Sequence, residues 1–234
     1  MRRFNPSIYE DRHVKPEYMS SMRVDVRKLA LFNKISKEGS RRVADSLNQM
    51  AGLDAEMKIS KINFLDMEDV KTHLGDDRVV GIYVQLTDPP NGYVLFVLDP
   101  ADSKDLARAM LPGSDDSDDS GFTDMERSAM QEIGNIMTSG YIDGWANVLD
   151  TTIDMGTPTF TYGPTSQIIE KMGGWPDEDI VFVLDSEILS PQTDVDLTVY
   201  TFPVLRDLVD LVKNIDVNTD VEADTVADES LTSN

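Results

Sequence analysis

Apolar residues recur at helical intervals in two long stretches of the chain. From position 24 the series Val26, Leu29, Ala30, Phe32, Ile35, Val43, Ala44, Leu47 and Met50 predicts a helix, with Gly39 as a break or bend and Gly52 as its stop. A second helix is predicted to begin at Thr123. Followed at the third position by Glu126, this threonine has the form of a capping box, in which hydroxyl and carboxylate each satisfy a free backbone N–H. Along that helix Ala129, Ile133, Ile136, Met137 and Ile142 can supply a buried face. Ser128, Glu132 and Asn135 fall instead within one stripe roughly 60° wide at about 100° per residue, so a hydroxyl, a carboxylate and a carboxamide point outward in a row.

Between and after the helices the period shortens. Residues 57–64 alternate as a strand, and 79–86 and 93–98 are β-rich runs joined by Thr87-Asp88-Pro89-Pro90-Asn91-Gly92, which predicts a hairpin. A short helix over 102–111 is closed by Pro112-Gly113. The chain then repeats itself at a spacing of 98 residues: Lys34-Ile35-Ser36-Lys37 falls on Glu132-Ile133-Gly134-Asn135, Leu47 on Trp145, Ile62 on Phe160, and 81–86 on 179–184. Residues 194–202 and a helix over 204–215 answer the second hairpin strand and the helix after it. Two copies of a helix-then-strands unit packed about a local two-fold axis in one sheet are therefore expected. At this spacing Ser128, Glu132, Asn135 and Pro158 correspond to Ala30, Lys34, Lys37 and Ser60, so the first copy lacks the polar stripe. Lys34 and Lys37 read as a solvated basic face, or as the contact for an acidic partner.

Composition narrows the rest. Without cysteine there is no disulfide, thiol chemistry or cysteine-based metal site. A formal charge of −22 argues against nucleic acid or an anionic membrane as partner. Apolar runs such as 94–98 and 180–184 are too short to cross a bilayer, and no signal sequence follows Arg2-Arg3, so a cytoplasmic protein without membrane insertion is expected. Asp in excess of Glu, with little Lys, matches a salt-adapted, halophilic composition. Residues 1–23 read as an N-terminal arm and 216–234 as a disordered acidic tail. The domain between them spans 24–215: repeat one at 24–112, an acidic linker at 113–122 and repeat two at 123–215. Asp116-x-Asp118-x-Ser120-Gly121 opens like a calcium loop but places Arg127 where a bidentate glutamate is needed. His13 and His73 have no metal-ligand spacing, and no phosphate loop is present, so no metal site is expected. Gly134, Gly140 and Gly144 each cost the helix about 1 kcal/mol, which close approach of another backbone would explain. Trp145 and Trp175 read as packing residues.

Ser128-x3-Glu132-x2-Asn135, the EIGNIM text around it, the SGY that follows and Pro158 after a further 22 residues together resemble the signature of the CheC/CheX/FliY chemotaxis phosphatases. The resemblance covers about residues 24–215 and implies a pseudo-symmetric α/β (α+β) fold with long helices on one sheet; many relatives carry a site in each half, whereas this chain keeps the second. The implied substrate is the aspartyl phosphate of a phosphorylated CheY-type receiver domain, which brings its own Mg2+ and lysine, so this chain binds no cofactor itself. An activated acyl phosphate needs little beyond a placed water and neutralised oxygens. Asn135 can hold that water but cannot act as a base. Glu132 would pair with the receiver's lysine, Ser128 would support docking, and Pro158 would shape the adjacent surface. The family also implies a second class of function, an adaptor that binds the CheD receptor deamidase or links to the archaellum motor.

Overall fold

The computed structural model describes residues 26–52, 54–65, 67–111, 121–173, 181–190 and 195–213. The expected arm at 1–23, most of the linker at 113–122 and the tail at 216–234 lie outside the described residues, as do His13, Trp175 and the acidic run at 116–120. The chain runs α1 (Val26–Ala51), β1 (Glu56–Leu65), α2 (Met67–Leu74), β2 (Arg78–Leu86), β3 (Gly92–Leu98), α3 (Pro100–Met110), α4 (Asp124–Leu149), β4 (Thr159–Pro164), α5 (Thr165–Met172), β5 (Val181–Ser190), β6 (Val195–Pro203) and α6 (Leu205–Lys213).

Six strands form one sheet in the order β1-β5-β6-β3-β2-β4, each neighbour antiparallel to the next. The order reads the same from either end once the repeats are exchanged, so a pseudo-two-fold axis passes between β3 and β6. Each repeat lends its first strand to the other: β1 edges β5, and β4 edges β2. Neither repeat can complete its part of the sheet alone.

The 98-residue spacing maps α1 onto α4 and α2 onto α5 end for end. It slips in the next strand. Ile82 pairs with Phe160, and the residue that pairs with Ile62 is Leu184. Leu184 is therefore matched by Ile82 and not, as the constant spacing requires, by Leu86. The cause is length, since the connection from α5 to β5 has more residues than that from α2 to β2.

The helices α1, α3, α4 and α6 cover one face of the sheet, over a core that includes Phe32, Ile35, Ile82, Phe96, Met137 and Trp145. On the opposite face α2 and α5 close a smaller cluster around Val70, Leu95, Ile168, Ile169 and Phe202. Burial on both faces explains why β3 carries an unbroken apolar run instead of an alternating one: Val94, Leu95, Phe96 and Leu98 are all buried.

Gly39 does not break α1, contrary to the sequence expectation. A Cβ there would lie 2.8 Å from Tyr141 Cε2 and 2.9 Å from Trp145 Cδ1, and one on Gly144 would lie 2.7 Å from Gly39 Cα. These two glycines are the point at which α1 and α4 cross. The helices run antiparallel, because the neighbours a Cβ on Gly140 would meet are Ser46 Oγ and the Arg42 carbonyl. Gly52 ends α1 as expected, with φ +66° and its N–H on the Asn48 carbonyl.

Candidate functional site

The helix that carries the polar stripe is fixed at both ends and underneath. At its start the capping box is complete: Glu126 N–H donates to Thr123 Oγ1 at 3.2 Å, and Thr123 N–H donates to Glu126 Oε2 at 2.8 Å. At its end Asp150 takes the left-handed conformation at φ 50°. Underneath, Ala129, Met130, Ile133, Met137, Tyr141 and Trp145 are buried, and Gly134 sits directly on Ile82 of β2. Tyr141 donates to or accepts from Thr201 Oγ1 at 2.6 Å within the core, and burial pushes its phenol up to about 12.

Ser128, Glu132 and Asn135 all lie on the exposed face of α4. Ser128 Oγ donates to the Asp124 carbonyl at 2.8 Å, which uses its proton and leaves its lone pairs outward. Glu132 and Asn135 make no side-chain hydrogen bond or ion pair among the described residues, so carboxylate and carboxamide are both available to a partner. Met125, one turn before Ser128 on the same side, is also exposed, at 62%. Pro158 differs from the expected surface-shaping residue: its ring is buried, and what reaches the site is its carbonyl, which accepts from Gln131 Nε2 at 2.8 Å. The Arg127 guanidinium lies over the Phe160 ring at 5.6 Å. Gln131 was not singled out in the sequence and Arg127 only as the misfit in a calcium loop, although Gln131 lies three residues after Ser128 and four before Asn135, hence on the same flank.

The model of the CheC-like family matches residues 125–162, which take in every residue of this stripe and Pro158. A protein of Halobacterium salinarum, provisionally named CheY-P phosphatase CheC1, is 39% identical over 197 residues, spanning 84% of this chain and all of that protein. The chain belongs to the CheC-like family. Solved structures agree on the fold. Thermotoga maritima FliY superposes with a TM-score of 0.64 at 17% identity, covering 82% of this chain and 97% of that one. CheX in the CheX–CheY–BeF3–Mg2+ complex of Borrelia burgdorferi superposes at 0.50 and 17% identity, covering 70% and 95%.

The other half of this CheC-like fold presents different chemistry. Ala30, Lys34 and Lys37 are exposed on α1, and Ser60 stands on β1 opposite Ser186. Because α1 and α4 are antiparallel, this basic face lies at the opposite end of the helix pair from Glu132 and Asn135. Arg41 is taken up by Glu38 and Asp45, whereas Lys34 and Lys37 have no ion-pair partner among the described residues. His73 of α2 does acquire a neighbour that the sequence did not indicate, with Nε2 3.3 Å from Asp185 Oδ2. Among the described residues no three His, Cys, Asp or Glu side chains group as metal ligands, and no helix is long and apolar enough to cross a membrane.

Proposed function

We propose that this chain hydrolyses the aspartyl phosphate of a phosphorylated CheY-type receiver, with Asn135 as the residue that positions the attacking water. The observation that carries the reading is the state of α4: Glu132 and Asn135 are exposed and unengaged on a helix whose opposite side is locked into the core. The name of the Halobacterium relative and the presence of CheY in the CheX complex support the choice of substrate.

In this reading α4 docks against the phosphorylated site of the receiver. Glu132 meets the receiver's lysine and sets the docking angle through a charge-assisted contact. The Asn135 carboxamide oxygen accepts a hydrogen bond from a water and holds it in line with the phosphorus. The water oxygen bonds to phosphorus, the acyl P–O bond breaks, and the receiver's aspartate leaves as a carboxylate. The proton of the water passes to inorganic phosphate or solvent. The receiver's own Mg2+ would neutralise the phosphoryl oxygens, so at the phosphorus the chain supplies geometry, its one charged contact being Glu132. Ser128, with its proton committed to Asp124, offers an acceptor at the edge of the docking face.

The test is phosphate release from a phosphorylated receiver with magnesium, with and without the purified chain. Parental protein should accelerate release, and Asn135→Ala should return it to the receiver's own rate while its thermal unfolding is unchanged. An Asn135→Ala variant as fast as the parent would refute the assignment. Binding of receiver or of CheD without faster release would replace the enzyme by an adaptor.

A further inference from the structure

We propose that Gln131 is a positioning residue of this site: it fixes the strand-entry rim at residues 157–159 against the Asn135 side of α4. The inference rests on the reading of α4 as the receiver-docking helix and says which wall of that dock is built and by what. The three residues Ser128, Gln131 and Asn135 lie at i, i+3 and i+7, so Gln131 stands between the other two on one flank. Its Nε2 reaches 27 residues along the chain to donate to the Pro158 carbonyl at 2.8 Å.

The segment so held is otherwise attached to the sheet. Thr87 N–H donates to the Asp154 carbonyl and Gly156 N–H to the Gln85 carbonyl, both at 2.9 Å, and Met155 bridges Leu86. These bonds and the pairing of Thr159 with Tyr83 set the segment against β2, and α4 in turn rests on Ile82 of β2 through Gly134. Two α4 side chains one turn apart also touch it directly: Arg127, over the Phe160 ring, and Gln131, bonded to Pro158. Only the second ends at the rim itself, where the exposed Thr157 and Thr159 flank the buried proline. A proline at 158 suits this arrangement. It is buried and, having no N–H, needs no acceptor there, and its carbonyl is left for the glutamine.

The consequence is directional. Around α4 the rim adjoins the Gln131 side of Asn135, and Glu132 lies on the other side of the stripe. Displacing this rim by even about an ångström alters the docked geometry without touching Asn135.

The experiment measures kcat and KM for phosphate release from phosphorylated receiver with four proteins: parent, Gln131→Glu, Gln131→Ala and Gln131→Lys. Gln131→Glu is nearly isosteric but opposes a carboxylate to the Pro158 carbonyl, and Gln131→Ala deletes the bond. Each should raise KM several-fold through the displaced rim, while the lost internal bond lowers the unfolding midpoint by no more than about 2–4 °C. Gln131→Lys restores a donor of similar reach and should recover most of the parental KM at high ionic strength, where the repulsion between its charge and the receiver's lysine is screened. If the parent is active and Gln131→Glu matches it in both constants, the positioning role is wrong and the proposed function stands. If the parent does not accelerate release at all, both fail. If Gln131→Glu and Gln131→Ala lose kcat and KM together with several degrees of stability, and Gln131→Lys does the same, the residue serves only the fold and the proposal is overturned.

Discussion

Replacing Gly134 by alanine tests how the packing beneath α4 controls the face above it. A Cβ at 134 would lie 2.4 Å from Ile82 Cγ2 and 3.1 Å from its Cδ1. Ordinary carbon contacts begin near ~3.5 Å, so the helix and β2 must separate by about 1 Å. Ile82 is fully buried, and the offending Cγ2 sits on its branched Cβ, so rotation alone cannot clear the space. Overpacking of this kind costs about 1–3 kcal/mol. The gain in helix propensity from Gly to Ala offsets about 1 kcal/mol of it. The expected net loss is about 0–2 kcal/mol, read as an unchanged or lower urea midpoint at constant slope. Removing the obstacle should reverse the effect. Ile82→Ala alone leaves a cavity and should cost about 3 kcal/mol, within the range for Ile→Ala. In the double variant the new methyl group occupies part of that cavity. Its loss should therefore fall short of the sum of the single losses by about 1 kcal/mol or more. The same Gly134→Ala substitution should lower phosphate release by about tenfold to a hundredfold, because Asn135 moves with its helix. A Gly134→Ala protein more stable than the parent by about 1 kcal/mol, as at an open helix position, would refute the packing argument.

Glu132→Lys should raise KM for the phosphorylated receiver with little change in folding, since the side chain is exposed and a lysine there repels the receiver's own; unchanged KM would remove the anchor role. Lys34→Glu together with Lys37→Glu should leave phosphate release at the parental rate, because these residues lie at the other end of the helix pair; loss of release would mean that α1 takes part in docking. Tyr141→Phe should cost about 1–2 kcal/mol by leaving the buried Thr201 hydroxyl without its partner, measured by chemical unfolding. Tyr141 also sets a pH dependence. Its phenol is raised from 10.0 to about 12 in the fold, so its contribution is full below pH 10 and is lost as pH rises through about 12. The alkaline fall in stability should be shallower in Tyr141→Phe.

Much of the long-helix framework was legible because its signals are local. The capping box at Thr123 and Glu126 is read from two residues, and the faces of α1 and α4 follow from their period. The repeat then supplied the symmetry of the sheet. Two features were out of reach. The eight-residue helices α2 and α5 escaped notice because a segment such as MEDVKTHL is too short for periodicity to separate it from a loop, and packing on the second face of the sheet is what holds it. The strand-register slip was hidden because a constant spacing cannot register a longer connection. In the site, the exposure of Ser128, Glu132 and Asn135 was foreseeable from the stripe. The inward turn of Pro158 and its bond to Gln131 were not, since that contact spans 27 residues and joins groups with no pattern between them.

The glycines show how one helix serves both requirements. An exposed functional row on α4 demands that the opposite side be held closely enough to resist a docking partner. Larger side chains at positions 134 and 144 would hold the helix farther from β2 and from α1. Gly134 brings the backbone onto Ile82, and Gly144 brings it onto Gly39 of α1, so α4 is seated on the sheet at one point and on its symmetry mate at another. At the position of Gly134 the first repeat carries Ser36, whose hydroxyl instead meets Ser186 Oγ at 2.9 Å in the core. The two helices are therefore seated by different means, glycine contact on the side with Glu132 and Asn135 and a buried hydroxyl pair on the side with Lys34 and Lys37. Divergence in the repeats extends beneath the surface, which means that grafting Ser128, Glu132 and Asn135 onto α1 at positions 30, 34 and 37 should create the polar row without the same seating, and should yield far less phosphate release than the native face of α4.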